Sequence, residues 1–168
     1  MSTAPQPAPG DSPTDAEGFA FLDGHWRVHH QKLKEPLTGR QEWIAFEGSA
    51  RFFSLLGGMV SVEELCDADG VPLGGAMRTF DRARRIWSDA WVSAHDGVLQ
   101  PPQHGSFAEG RGTFIAEEQY QGKPILTRGV WVRVSCDEVT WEQACSQDAG
   151  VTWETNWKMR FARAAGGA

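Results

Sequence analysis

The chain has 168 residues, a formal charge of −6, a pI near 5.3, eight tryptophans and three cysteines. That length suits one domain with a substantial core. The acidic balance excludes nucleic acid as a partner, because phosphate binding needs a concentrated excess of Lys and Arg.

Residues 1–14 hold Pro5, Pro7, Pro9 and Pro13 among small polar residues and are expected to form a disordered tail. A single domain is expected over 15–163, with 164–168 as a disordered end. Asp15 to Leu22 carries Phe19, Phe21 and Leu22, enough for a short helix that caps something apolar. Beyond it, segments rich in aromatic or β-branched residues recur at 25–34, 40–48, 50–56, 58–66, 75–81, 85–94, 103–109, 112–120, 124–135, 139–146 and 151–162. Asp69-Gly70, Asp96-Gly97 and Gln121-Gly122 supply left-handed positions between them. The basic run Arg82-Ala83-Arg84-Arg85 reads as a solvated hairpin turn. About ten strands at a spacing of roughly 8–15 residues predict an all-β, antiparallel meander, closed as a barrel or folded as a sandwich.

Trp87 and Trp91, like Trp153 and Trp157, are four residues apart and share a face on a strand of period two. Such rings build either a thick core or an aromatic-walled pocket. On the first strand Trp26, Val28, His30 and Lys32 share one face, and His25, Arg27, His29 and Gln31 the other. His25 and His29 would lie roughly 13 Å apart on a strand, which is not a zinc-type spacing, and no metal site is expected. Asp89 shares its face with Trp87, Trp91 and Ser93, so it is either solvated outside or a buried carboxylate with a raised pKa. Glu47 lies on the face of Trp43. Glu63, Arg78 and Gln143 are further polar residues on strands that should line a barrel. The final strand alternates Trp153, Thr155, Trp157, Met159 and Phe161 against Thr152, Glu154, Asn156, Lys158 and Arg160, which apolar-in, polar-out packing explains.

Ser146-Gln147-Asp148-Ala149-Gly150-Val151-Thr152-Trp153 matches the Asp-box, S-x-D-x-G-x-T-W. It reads as a hairpin in which Asp148 accepts backbone hydrogen bonds, Gly150 takes a positive φ and Trp153 packs beneath. Sialidases carry several such boxes, one per propeller blade. The single copy here reads as a structural turn.

Gly24-His25-Trp26 resembles the G-x-W signature that opens lipocalin-type barrels, whose Trp closes the base. Phe21 to Trp26, Trp43 to Gly48, Leu55-Leu56-Gly57-Gly58, Arg78 to Asp81, Trp141 to Ala144 and Trp153 to Trp157 resemble the bacterial family called domain of unknown function 1579. That family is similar to the calycins, and the resemblance spans roughly residues 19–162. Val60-Ser61-Val62-Glu63-Glu64 departs from the Gly-Asn-Val-Asp-Glu-like run of many members, so no role is carried over from that Asn. The resemblance implies a lipocalin-like barrel with Trp26, and therefore His30, turned inward. Nitrobindin-like barrels, also of calycin type, hold haem through a histidine near the C-terminus. This chain has none after His104, so no haem or other cofactor is expected.

The leading functional expectation is a cavity for a small apolar or aromatic molecule. Trp26, Trp43, Trp87, Trp91 and Trp157 would stack on it, and His30, Asp89 and Arg78 would orient it. Glu47, Glu63 and Gln143 complete the expected lining. The alternative is a cofactor-independent lyase, isomerase or cyclase with His30 and Asp89 as an acid–base pair. A third reading is a structural or homo-oligomeric module with its interior filled by tryptophan. Three cysteines at no metal spacing read as reduced thiols, no secretory leader is expected, and no stretch approaches the roughly 18 apolar residues of a membrane helix. A cytoplasmic protein with no membrane partner is expected.

Overall fold

The computed structural model describes residues 18–165. A 3-10 turn, Phe19–Leu22, leads into β1 (Gly24–Leu33) and β2 (Trp43–Leu55), and a second, Leu56–Gly58, precedes β3 (Val60–Asp67). Then follow β4 (Pro72–Asp81), β5 (Ile86–Ser93), β6 (Gln103–Ala108), β7 (Arg111–Tyr120), β8 (Lys123–Arg133), β9 (Glu138–Ser146) and β10 (Glu154–Arg163). Each strand pairs antiparallel with its neighbours in the chain, and β1 also pairs with β10, closing a ten-stranded barrel. The architecture is the expected all-β barrel, not a sandwich. The short helix expected near the start is the turn Phe19–Leu22. The tail at 1–14, residues 15–17, and 166–168 lie outside the described residues. Among those described, no helix is long and apolar enough to cross a membrane.

The segments 40–48 and 50–56 form one strand, β2. Gly48 there is a place of close approach and not a break: a Cβ on it would lie 2.5 Å from the Cys66 carbonyl oxygen and 3.1 Å from His30 Nε2. Gln121 and Gly122 both take positive φ, 50° and 75°, as a two-residue hairpin between twisted strands requires. The β5–β6 ladder is the shortest, with three paired positions, Trp87↔Gly105, Ser88↔His104 and Asp89↔Gln103. Pro101 and Pro102 precede β6 and have no N–H to extend it.

One end of the barrel is plugged. Phe19 and Leu22 are fully buried, and Phe19 meets Trp87, Phe107 and Trp131 edge-on at centroid distances of 5.1, 4.8 and 5.9 Å. Trp26 Nε1 donates to the Leu22 carbonyl at 2.6 Å. Arg163 lies 4.2 Å over the Trp26 ring and donates to the carbonyls of Asp23 and Phe21 at 2.9 and 3.1 Å. The first strand, the last strand and the N-terminal turn are thus sutured at one point.

The Asp-box forms the β9–β10 hairpin. Thr152 donates to Asp148 from its backbone at 2.8 Å and from its hydroxyl at 2.6 Å, and Ser146 from its hydroxyl at 2.8 Å. These bonds, the Thr152 hydroxyl foremost, lower the Asp148 carboxyl to about 2. Gly150 has φ 89°, and its carbonyl accepts from Trp153 Nε1 at 3.0 Å. Trp153 therefore belongs to the hairpin, where Arg128 covers its ring at 4.2 Å. β10 starts at Glu154, and its alternation is broken by a bulge between Thr155 and Trp157. The bulge turns Asn156, an outward residue by simple period two, into a buried position.

Candidate functional site

Beyond the plug the barrel is hollow, enclosing a cavity of about 690 Å³. Inward alternation on β5, β8, β9 and β10 brings Trp91, Trp131, Trp141 and Trp157 to its walls. Trp141 meets Trp157 edge-on at 5.6 Å and lies tilted against Trp131 at 6.1 Å. Gln100, Pro101, Glu117, Glu118, Gln119 and Pro124 also border it.

Arg78, Glu63 and Asp89 form its charged floor. Arg78 and Asp89 are directly paired across β4 and β5. Arg78 Nη2 donates to Glu63 Oε2, and its Nε lies 3.1 Å from Asp89 Oδ1. The Nε contact is a charge pair without hydrogen-bond alignment, and Arg78 Nη1 and Glu63 Oε1 have no hydrogen-bond partner among the described residues. The guanidinium lies 4.7 Å from the Phe19 ring and 5.0 Å from Trp131, so aromatic surface covers it. Burial pushes the Glu63 carboxyl up, opposed by Arg78. Burial also works against the Arg78 charge, but Asp89 and Glu63 outweigh it and raise the pKa. The side chains of Arg78 and Glu63 are each 2% exposed and that of Asp89 14%. The accessible member of the triad is a carboxylate.

A neutral network adjoins the walls. Gln143 donates to Asn156 at 3.1 Å, and the Asn156 amide contacts the Cys145 sulfur at 3.0 Å. The bulge creates this arrangement, and no spacing in the sequence signals it.

His30 points inward, as the Trp26 face implies, yet it lies behind the cavity wall. It is fully buried, stacks on Phe46 at 4.3 Å, and its Nδ1 accepts from Trp157 Nε1 at 3.3 Å. Its Nε2 has no hydrogen-bond partner among the described residues. Asp89 is engaged with Arg78, so the structure does not assemble the His30–Asp89 acid–base pair. His30 instead positions the Trp157 ring. Burial lowers its pKa to about 4, against a raising effect of Glu47. An unfolded histidine takes its proton near 6.5, so between about pH 6.5 and 4 the unfolded chain binds more protons and stability must fall as pH drops. Urea titrations across that range should show this fall in the wild type and a shallower one in His30→Leu. Equal slopes would mean that His30 protonates freely in the fold.

Of the sequence candidates, Glu63, Arg78, Asp89, Trp91, Gln143 and Trp157 line the cavity. Trp26 and Trp87 are buried around the plug. Trp43 and Glu47 lie on the outer wall, where Trp43 carries Lys158 at 5.5 Å and Glu47 pairs with His29. Trp131, Trp141, Gln103 and Met159 are cavity residues that sequence reasoning passed over. Trp141 was recoverable, being two residues before Gln143 on one strand. Trp131 sits in the apolar run Gly129-Val130-Trp131-Val132, where period two gives no direction. Among the described residues no His, Cys, Asp or Glu cluster suits a metal ion.

The chain matches no family model and no curated protein. Among solved structures it is similar to Rv2717c from M. tuberculosis, at a TM-score of 0.56 and 13% identity over 87% of this chain and 94% of that one. At that identity the likeness shows the fold alone.

Proposed function

We propose that the protein binds a small, mostly apolar molecule with aromatic character inside the barrel. The supporting observation is the combination of four indole walls with a few buried polar groups around a cavity of about 690 Å³, a size and lining that suit a small-molecule site. The unfilled interior weighs against a purely structural module. The resemblance to domain of unknown function 1579 belongs to the same proposal, with Trp26 at the base in the role that the G-x-W signature implies. The free thiols Cys66, Cys136 and Cys145 support a reducing, cytoplasmic setting.

Titration with N-phenyl-1-naphthylamine, excited through the indoles, tests the reading. Saturable one-to-one emission is expected, with Ala76→Phe, which fills the cavity, weakening it at least about tenfold. Absence of saturable binding in the wild type, or full binding in a folded Ala76→Phe, would sink the proposal.

A further inference from the structure

We infer that the cavity selects an organic cation, an aromatic body bearing one protonated amine, over an anion of the same shape. The inference rests on the small-molecule reading above and adds the charge of the ligand.

An arginine at the floor of an apolar barrel invites the opposite conclusion, that a ligand carboxylate pairs with it. Three observations argue against that. Arg78 already faces two carboxylates, Glu63 and Asp89, and its surroundings on other sides are the rings of Phe19, Phe52 and Trp131. Arg78 Nη1 is unpartnered among the described residues but fully covered, and a ligand carboxylate reaching it would bring a third negative charge to one buried cation that already faces two acids. Next, Asp89 is the member of the triad that remains accessible, at 14% against 2% for each of the others. A ligand reaching the floor meets an acceptor of positive charge.

Finally, the charged residues of the lining are mostly acidic. It contains Glu63, Asp89, Glu117 and Glu118 against Arg78 alone. Walls of low dielectric concentrate such a field within a cleft. The indole faces act in the same direction, since their quadrupole attracts cations. The protein uses this attraction itself: Lys32 lies 4.1 Å over Trp157 and Arg78 lies 5.0 Å over Trp131. Lys32 opposes a ligand cation near Trp157, which places the favoured position of the amine towards Asp89 and Trp91.

The geometry therefore assigns the apolar body to the tryptophan walls and the ammonium to Asp89, through a charge-assisted hydrogen bond.

Calorimetric titration of the full chain with three probes of one shape tests this: 1-naphthylmethylammonium, 1-naphthalenemethanol and 1-naphthoate. The ammonium is expected to bind about tenfold or more tightly than the alcohol, and the naphthoate more weakly than either. Asp89→Asn should bring the ammonium close to the alcohol. If that variant does not fold, Glu118→Gln at the mouth gives a second reading, with about a twofold loss for the ammonium that shrinks in high salt. Equal affinities for all three probes, or preference for the naphthoate, would overturn the charge inference and leave the small-molecule reading standing. Binding of none of them would overturn both.

Discussion

Arg78→Ala is expected to destabilise the protein by about 3–5 kcal/mol, the usual scale for leaving a buried charge without its partner. Arg78 is 2% exposed between Glu63 and Asp89, so its removal leaves two carboxylates in a place built for one cation between them. The loss should also depend on pH. Burial already pushes Glu63 up, and only Arg78 pulls it back. In the variant Glu63 favours its neutral form still more, so its folded pKa lies further above the unfolded value. Such a group contributes stability at low pH that disappears as pH rises through the folded pKa. Urea denaturation should therefore find a larger penalty at about pH 8 than at about pH 5. Replacing Arg78 and Glu63 together by Met and Leu should recover part of the loss, because an apolar pair leaves fewer buried charges unmatched. A penalty below about 1 kcal/mol for Arg78→Ala would show that water enters the floor and solvates the triad.

Trp26→Ala is expected to cost about 3–5 kcal/mol through the cavity it leaves, and to lower Tm by on the order of 10 °C. Trp26 is 1% exposed. The variant loses the donor to the Leu22 carbonyl and the ring beneath Arg163, so the plug, β1 and β10 are released from one another. Because Trp26 lies at the closed base and not on the cavity wall, the folded variant should still take up N-phenyl-1-naphthylamine. Loss of uptake with Tm unchanged would move Trp26 from the base into the site.

Architecture was legible because period-two patterning and turn chemistry recur along the chain. Gln121-Gly122 could be read directly from the need for positive φ, and Trp26 from the G-x-W pattern. The continuity of β2 through Gly48 was not legible, since a glycine demanded by close strand approach looks in sequence like one that ends a strand. Faces proved harder than strands. Asp89, Glu63 and Arg78 are individually consistent with either side of a wall, and only their mutual pairing explains why three charges face inward. Trp43 is outward by its register in β2, and Lys158, far along the chain, covers its ring there. The Asn156 reversal depends on a bulge, whose extra residue lets Asn156 turn inward beside Trp157 and leaves no mark in composition.

The brevity of the β5–β6 ladder bears on where the barrel opens first. Three ladder positions hold this seam, extended by the Val92–Leu99 bridge and the bond from the Gln100 amide to the Trp91 carbonyl, against ten paired positions between β7 and β8, so local opening is expected here first. Asp89 and Gln103, one of those three pairs, themselves line the cavity. Breathing of this seam is thus expected to part the wall beside the triad while the sutured base stays shut. The seam beside the site is therefore where backbone amides are expected to exchange with solvent soonest, ahead of those in the β7–β8 ladder, whatever the cavity holds.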